Sequence, residues 1–272
     1  MITDITLGQF YPVDSFVHKL DAEIKIILTL LFMIAIFFVQ GFVGFGIILA
    51  FLVITILASK IPFLFLLKGI KPILFFIIFT VVLNMFMTDG EKAFTFIIWD
   101  VTYEGIFTSL FMALRIIFLV IGSSLLTYTT SPIMLTDGIE KLLKPFVKIG
   151  VPAYELAMMM SIALRFIPTL IEETDKIIKA QKARGSDFET GGLIKRGKAI
   201  IPILVPLFVS AFRRADELAI AMESRCYNGG INRTRLRVSK PGVRDIYAGV
   251  IFVIFMTGAI LVGYTGFDFK GF

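Results

Sequence analysis

From Ile24 to Ser59 the chain is nearly unbroken in apolar character, with Gln40-Gly41 and Gly44 midway. A bilayer core about 30 Å thick needs roughly 20 residues of helix to cross it. The run is therefore read as a tight hairpin of two spans. Lipid offers no partner to an unpaired backbone amide or carbonyl, so apolar runs of this length must be helical. Pro72 to Met87, Ile106 to Tyr128 and Ile246 to Tyr264 are three more such runs. Composition agrees, with 57% hydrophobic and 18% charged residues against roughly 25% charged in soluble domains. Twenty-nine Phe and one Trp suit a lipid-facing bundle. Met1 to Glu23 is mixed and polar and is not expected to be a secretory signal.

Charge divides the chain and orients it. From Thr129 to Asp245 there are 19 Lys/Arg against 12 Asp/Glu, while the remainder carries 8 against 9. Lys/Arg excess marks the cytoplasmic side of a membrane protein. His18, Lys19 and Lys25 precede the first span, and Lys60, Lys68 and Lys71 lie between the second and third. The stretch Asp89 to Glu104 is acidic, with Lys92 its only base. The expected topology has the N-terminus inside, Asp89 to Glu104 outside and the basic segment inside. This gives an N-terminal membrane domain (1–128, about four spans), a coupling module (129–245) and a last span with its tail (246–272). The fold class expected is an all-α polytopic membrane protein.

The basic module holds two similar helical patterns. Ile167, Leu170/Ile171, Thr174, Ile177/Ile178 and Gln181 follow helical spacing after the apolar stretch "VPAYELAMMMSIALRFIP", which reads as interfacial or buried in protein. Pro168 is expected to kink or break this helix, and Gly185 to stop it. A linker at Gly191, Gly192 and Gly197 is followed by "IPILVPLFVSAFRRADELAIAMESRC". Ion pairs four residues apart are expected at Glu172–Lys176, Asp175–Lys179 and Arg213–Glu217. Arg184 lies seven residues after Ile177, and Arg225 seven after Leu218. Seven residues are nearly two turns, so each arginine continues an apolar stripe. Ala180, Ala183 and Gly185 flank one; Ala221, Ser224 and Cys226 flank the other. Such an end suits insertion into a partner's groove, where a planar guanidinium binds carboxylates or carbonyls. Cations at helix C-termini also have a plain dipole explanation.

Other chemistry is thin. One cysteine and one histidine exclude an internal disulfide, a Cys zinc cage and His-cluster catalysis. "GLIKRGKA" (Gly192–Ala199) has the spacing of a phosphate loop, but Ala199 stands where Ser/Thr must reach Mg²⁺ and no strand precedes it. No cofactor is expected on this chain, and no nucleic acid. "FVHKLDAEIKI" reads as a charged interfacial anchor and helix start. Arg115, ten residues into its span, is an intramembrane charge and hence a functional suspect, with Asn84 a polar candidate to pair it.

Together, "HKLDAEIK", "TTSP", "ALRFIP", Ala183-Arg184-Gly185 and "RRADELAIAMESRCY" resemble the transmembrane T component of energy-coupling factor (ECF) transporters, a family that includes the membrane component of cobalt importers. The resemblance covers nearly the whole chain. It implies two crossed cytoplasmic coupling helices, each ending in an Ala-Arg-Gly motif docked in one of two ABC-type ATPases. The docking residues it implies are Ala183, Arg184 and Gly185, and Ser224, Arg225 and Cys226; the second set departs from the motif at both flanks. It also implies a separate substrate-binding membrane subunit, with Met158, Met159 and Met160 as candidate contacts, and ATP and Mg²⁺ held by the ATPases. The location implied is a prokaryotic plasma membrane. A competing reading is a self-sufficient secondary transporter using Arg115. A third is a lipid-binding anchor or signalling scaffold.

Overall fold

The structure is a computed structural model that describes residues 9–88, 92–96, 99–186, 192–229 and 242–264. Helices account for nearly all of it. Helix α1 (Ala22–Phe38) starts at Asp21, whose side chain accepts the Glu23 amide and caps the first turn. Helix α2 (Gly41–Ser59) follows after a two-residue turn and ends at Lys60, in the left-handed conformation. Helix α3 (Phe63–Ile70) continues through a 3-10 turn (Lys71–Ile73) into α4 (Leu74–Met87). Helix α5 (Tyr103–Thr129) is capped by the Thr102 hydroxyl on Gly105. Then come α6 (Pro132–Leu143), α7 (Ala153–Ala183), α8 (Leu193–Glu223) and α9 (Val243–Tyr264).

Five stretches are long and apolar enough to cross a membrane: Gly41–Ser59, Phe63–Met87, Tyr103–Thr129, Ala153–Ala183 and Val243–Gly263. Helix α1 is equally apolar but shorter. The all-α polytopic class stands, although the five differ from the expected set by including α7.

Three local expectations need correction. Between α4 and α5 lies a small antiparallel hairpin, β1 (Lys92–Phe96) with β2 (Trp99–Thr102), pairing Phe94 with Val101 and Phe96 with Trp99. Its Phe, Thr, Val and Trp residues are good strand formers, within what read as an acidic loop. Pro168 does not end its helix: α7 runs through it, and α8 runs through Pro202 and Pro206. One missing amide leaves fewer orphaned backbone groups than two extra helix ends would. The expected linker is shorter, because Gly192 is the N-cap of α8 and Gly197 lies inside it. Gly191 lies outside the described residues.

The chain forms two compact units, one of residues 8–138 with 239–272 and one of 1–7 with 139–238. In the first, α1, α2, α5 and α9 enclose a core that includes Phe32, Ile36, Phe45, Ile48, Phe118 and Phe252. Gly122 is required there, since a Cβ would stand 2.5 Å from the Phe32 ring. In the second, α7 packs antiparallel on α8. The Gln181 amide donates to the Pro202 carbonyl, and Arg214 donates to Glu173 at 2.9 Å.

Candidate functional site

The two arginine motifs have the same backbone despite their different sequences. After α7, the Gly185 amide donates to Lys182 and the Ser186 amide to Gln181. After α8, the Cys226 amide donates to Glu223 and the Tyr227 amide to Met222. Both are Schellman closures, which put a left-handed residue just past the helix. Gly185 fills that position at φ 87° and Cys226 at φ 57°. Arg184 and Arg225 are therefore equivalent: each is the last residue before the left-handed one. The departure at Cys226 is chemical, not geometric.

Both arginines are exposed, as are Ala183, Gly185, Ser224 and Cys226. Neither guanidinium has a partner among the described residues. Because α7 and α8 run antiparallel, the two ends lie at opposite ends of the pair. From Pro202, which meets Gln181 near the Arg184 end, to Arg225 is roughly 35 Å of helix. The arrangement presents two separate cationic tips, too far apart to enter one groove.

The surfaces between the tips are apolar and uncovered. Helix α8 has no buried residue among those described, and Val205, Phe208, Val209 and Phe212 are each more than half exposed. On α7, Ala157 is buried, Met159 is exposed, and Met158 and Met160 are half-buried. Among the described residues the pairs expected at Glu172–Lys176, Asp175–Lys179 and Arg213–Glu217 do not appear, and an ion pair instead crosses between the helices, Arg214 to Glu173.

Arg115 is partly satisfied locally, its buried Nε having no hydrogen-bond partner among the described residues. Its Nη2 donates to the Val39 carbonyl at 3.2 Å, and its guanidinium lies over the Phe37 and Phe45 rings at 5.7 and 5.8 Å. Val39 ends α1, so the arginine neutralises an orphaned carbonyl at a helix C-terminus. Asn84 is not its partner: that amide donates to Thr80 of its own helix. Thr129 contacts Lys25 at one end of α1 and Arg115 contacts Val39 at the other. Arg115 thus sits at the level of the α1–α2 turn, about 21 Å along the helix from Thr129.

Sequence reasoning missed a buried polar knot at the other end of α1. The Lys25 ammonium donates to the carbonyls of His18 (3.2 Å) and Thr129 (2.9 Å). Asp245, at the start of α9, accepts the amides of Asp21 (2.8 Å) and Gly242 (2.7 Å). The His18 Nε2–H donates to Tyr11 O at 2.9 Å, which leaves Nδ1 to accept from the Ser15 hydroxyl at 2.7 Å. Burial, reinforced by the Lys25 charge, pushes the His18 imidazole below its ordinary pKa. The knot joins the starts of α1 and α9 to the end of α5. "HKLDAEIK" signalled charge near a span, but its partner Asp245 is 224 residues away in sequence from Asp21.

The profile of the cobalt transport protein family, CbiQ, matches residues 14–236. A relative from Clostridium kluyveri, described as energy-coupling factor transporter transmembrane protein EcfT, is 56% identical over 96% of this chain and 97% of its own. One of the same description from Ruminiclostridium cellulolyticum is 52% identical over 98% of this chain and all of its own. A third, from Brevibacillus brevis, is 47% identical over 97% and 99%.

Proposed function

The chain belongs to the CbiQ family as the transmembrane T component of an energy-coupling factor transporter, and from that premise we propose that it couples two ABC-type ATPases to a separate substrate-binding membrane subunit. It is a multi-pass membrane protein. In this reading it is a non-catalytic scaffold that binds no cofactor, and ATP and Mg²⁺ sit on the ATPases. The substrate is a vitamin or similar micronutrient, chosen by the substrate-binding subunit. The tips of α7 and α8 face the cytoplasm of a prokaryotic cell.

The observation that carries this reading is the repeated exposed arginine on one backbone closure, at two well-separated helix ends. Arg184 enters one ATPase and Arg225 the other, with Ala183, Gly185, Ser224 and Cys226 keeping the neck of each tip narrow. When ATP binding closes the ATPase pair, the two tips move together and α7 shifts against α8. Their contact is lightly fastened among the described residues, by the partly exposed Arg214–Glu173 ion pair, a Ser210 hydrogen bond to the same carboxylate and one amide bond, so sliding breaks little. The apolar stripe of α8 and Met159, with Met158 and Met160 beside it, are the surface for the substrate-binding subunit. Met and small residues suit a contact that must repack.

Arg115 bonded to Val39 and stacked between two rings supports a structural role in holding the α1–α2 turn. The test is uptake into proteoliposomes. The full complex should accumulate the vitamin bound by its substrate subunit only with ATP, and this chain alone should move none. Flux through the chain alone, lost in Arg115→Leu, would instead establish a secondary transporter.

A further inference from the structure

A cavity of about 210 Å³ lies inside the first unit, where α1, α2, α5 and α9 meet beside the polar knot. It exceeds the roughly 150 Å³ at which engineered apolar cavities stay dry and bind benzene. Its walls are hydrocarbon apart from Lys25, Thr29, Thr55 and Thr129. Each threonine hydroxyl is already spent on the carbonyl four residues earlier in its own helix: Thr29 on Lys25, Thr55 on Phe51 and Thr129 on Leu125. The hydroxyls keep only acceptor capacity, so they offer water no free donor.

Lys25 is the exception. It is 5% exposed and lines the cavity. Its ammonium has three N–H donors, and two go to His18 and Thr129. One remains for an acceptor. Asp21 and Asp245 lie close enough to act on its charge, so a phosphate there would face two carboxylates. A neutral carbonyl there carries no net charge for them to repel.

The cavity is therefore polar at one end and apolar at the other. Lys25 and Thr129 mark the polar end, at the start of α1 and the end of α5; Phe32, Phe51 and Phe252 line the apolar one. Lys25 to Phe32 is about 10 Å along α1, which fits within the roughly 15 Å depth of one leaflet's hydrocarbon. Ile54 and Ile251 on its rim are 50% and 43% exposed, on helices long and apolar enough to lie in lipid.

We propose that this cavity is a lipid site that takes one acyl chain of a phospholipid from the leaflet at the Lys25 end. The ester carbonyl accepts the third Lys25 N–H, and the chain runs inward to the Phe32, Phe51 and Phe252 rings. The headgroup stays outside, clear of Asp21 and Asp245. The bound chain completes the packing between α1, α2, α5 and α9, so the bundle is fully filled only with its lipid.

The test is native mass spectrometry of the full-length chain in mild detergent, titrated with phosphatidylglycerol and, separately, with oleate. Wild type should retain one phosphatidylglycerol after bulk lipid is stripped. Ala58→Phe, which projects a ring from the cavity wall, should reduce retention at least fivefold. Phe75→Ala, on the exposed face of α4, should leave it unchanged. Thr55→Leu provides a second filled cavity, with a smaller loss, should Ala58→Phe fold poorly by circular dichroism. No phospholipid on wild type, retention by both filled variants equal to that of wild type, or retention of oleate alone would each overturn the proposal.

Discussion

The two units solve opposite problems. The unit of α1, α2, α5 and α9 closes on itself: it holds the whole hydrophobic core, and the polar knot and Arg115 pin both ends of α1. The unit of α7 and α8 barely closes at all. Among its described residues the fully buried hydrophobics are Ala153 and Ala157, while α8 leaves its Val and Phe side chains open. Burial of apolar surface is the main force that fixes one helix against another in water, and in lipid close packing replaces it. The second unit has little of either by itself. A self-closed bundle and a lightly fastened helix pair each fit the proposed coupling role.

The difference between the two units is greatest at the knot. Asp245→Ala orphans two backbone amides, and each buried unsatisfied donor costs roughly 1–3 kcal/mol. Thermal unfolding of the purified chain should show the largest loss there, with ATPase docking by the remaining folded fraction unaffected. Lys25→Met should be comparable, since it strands two carbonyls. Arg115→Leu comes next: it abandons the Val39 carbonyl, at about 1–3 kcal/mol, in the same assay. An Arg115→Leu chain as stable as wild type would remove the turn-holding role.

Smaller effects separate the two tips. A non-glycine residue in the left-handed region costs roughly 1–2 kcal/mol. Cys226→Gly should therefore tighten the end of α8, and Gly185→Ala should loosen the end of α7 by a similar amount. Amide hydrogen exchange at Tyr227 and Ser186 reads the two directly, and shifts of the same sign would contradict the shared closure. His18 gives a pH signature. Its folded pKa lies below its unfolded value near 6.5, so the unfolded chain takes up the proton first as pH falls. Stability is held above about pH 6.5 and declines below it. His18→Asn should flatten that decline in unfolding measured from pH 7.5 to 5. The smallest effect is Glu173→Gln, which removes a partly exposed ion pair to Arg214. About 0.5 kcal/mol is expected from such a pair, and a loss as large as at Asp245 would erase the distinction between the units.

What the residues disclosed follows this division. Long apolar runs gave four of the five spanning stretches, because period and length are local properties, while α7, read as interfacial or buried, is the fifth. The end of α7 was legible too, since Gly185 is the left-handed residue that stops it. Cys226 hid its left-handed backbone, because few non-glycine residues adopt one. Pro168 misled, because a long helix absorbs a missing amide that a short one does not. The knot was invisible for another reason: Asp21 and Asp245 meet only after folding. Arg115 was recognised as unusual, but its partner was a backbone carbonyl that no side-chain pattern announces.

The central claim is that each arginine tip holds one ATPase. Native mass spectrometry of the complex purified through a tag on this chain counts them. Two ATPase subunits should accompany wild type. If the ATPases associate weakly with each other, Arg184→Ala or Arg225→Ala should leave one; if they bind as a preformed pair, each should lower occupancy of that pair. The double variant should carry none while keeping its helical content. A double variant that still carries two ATPases would contradict the account.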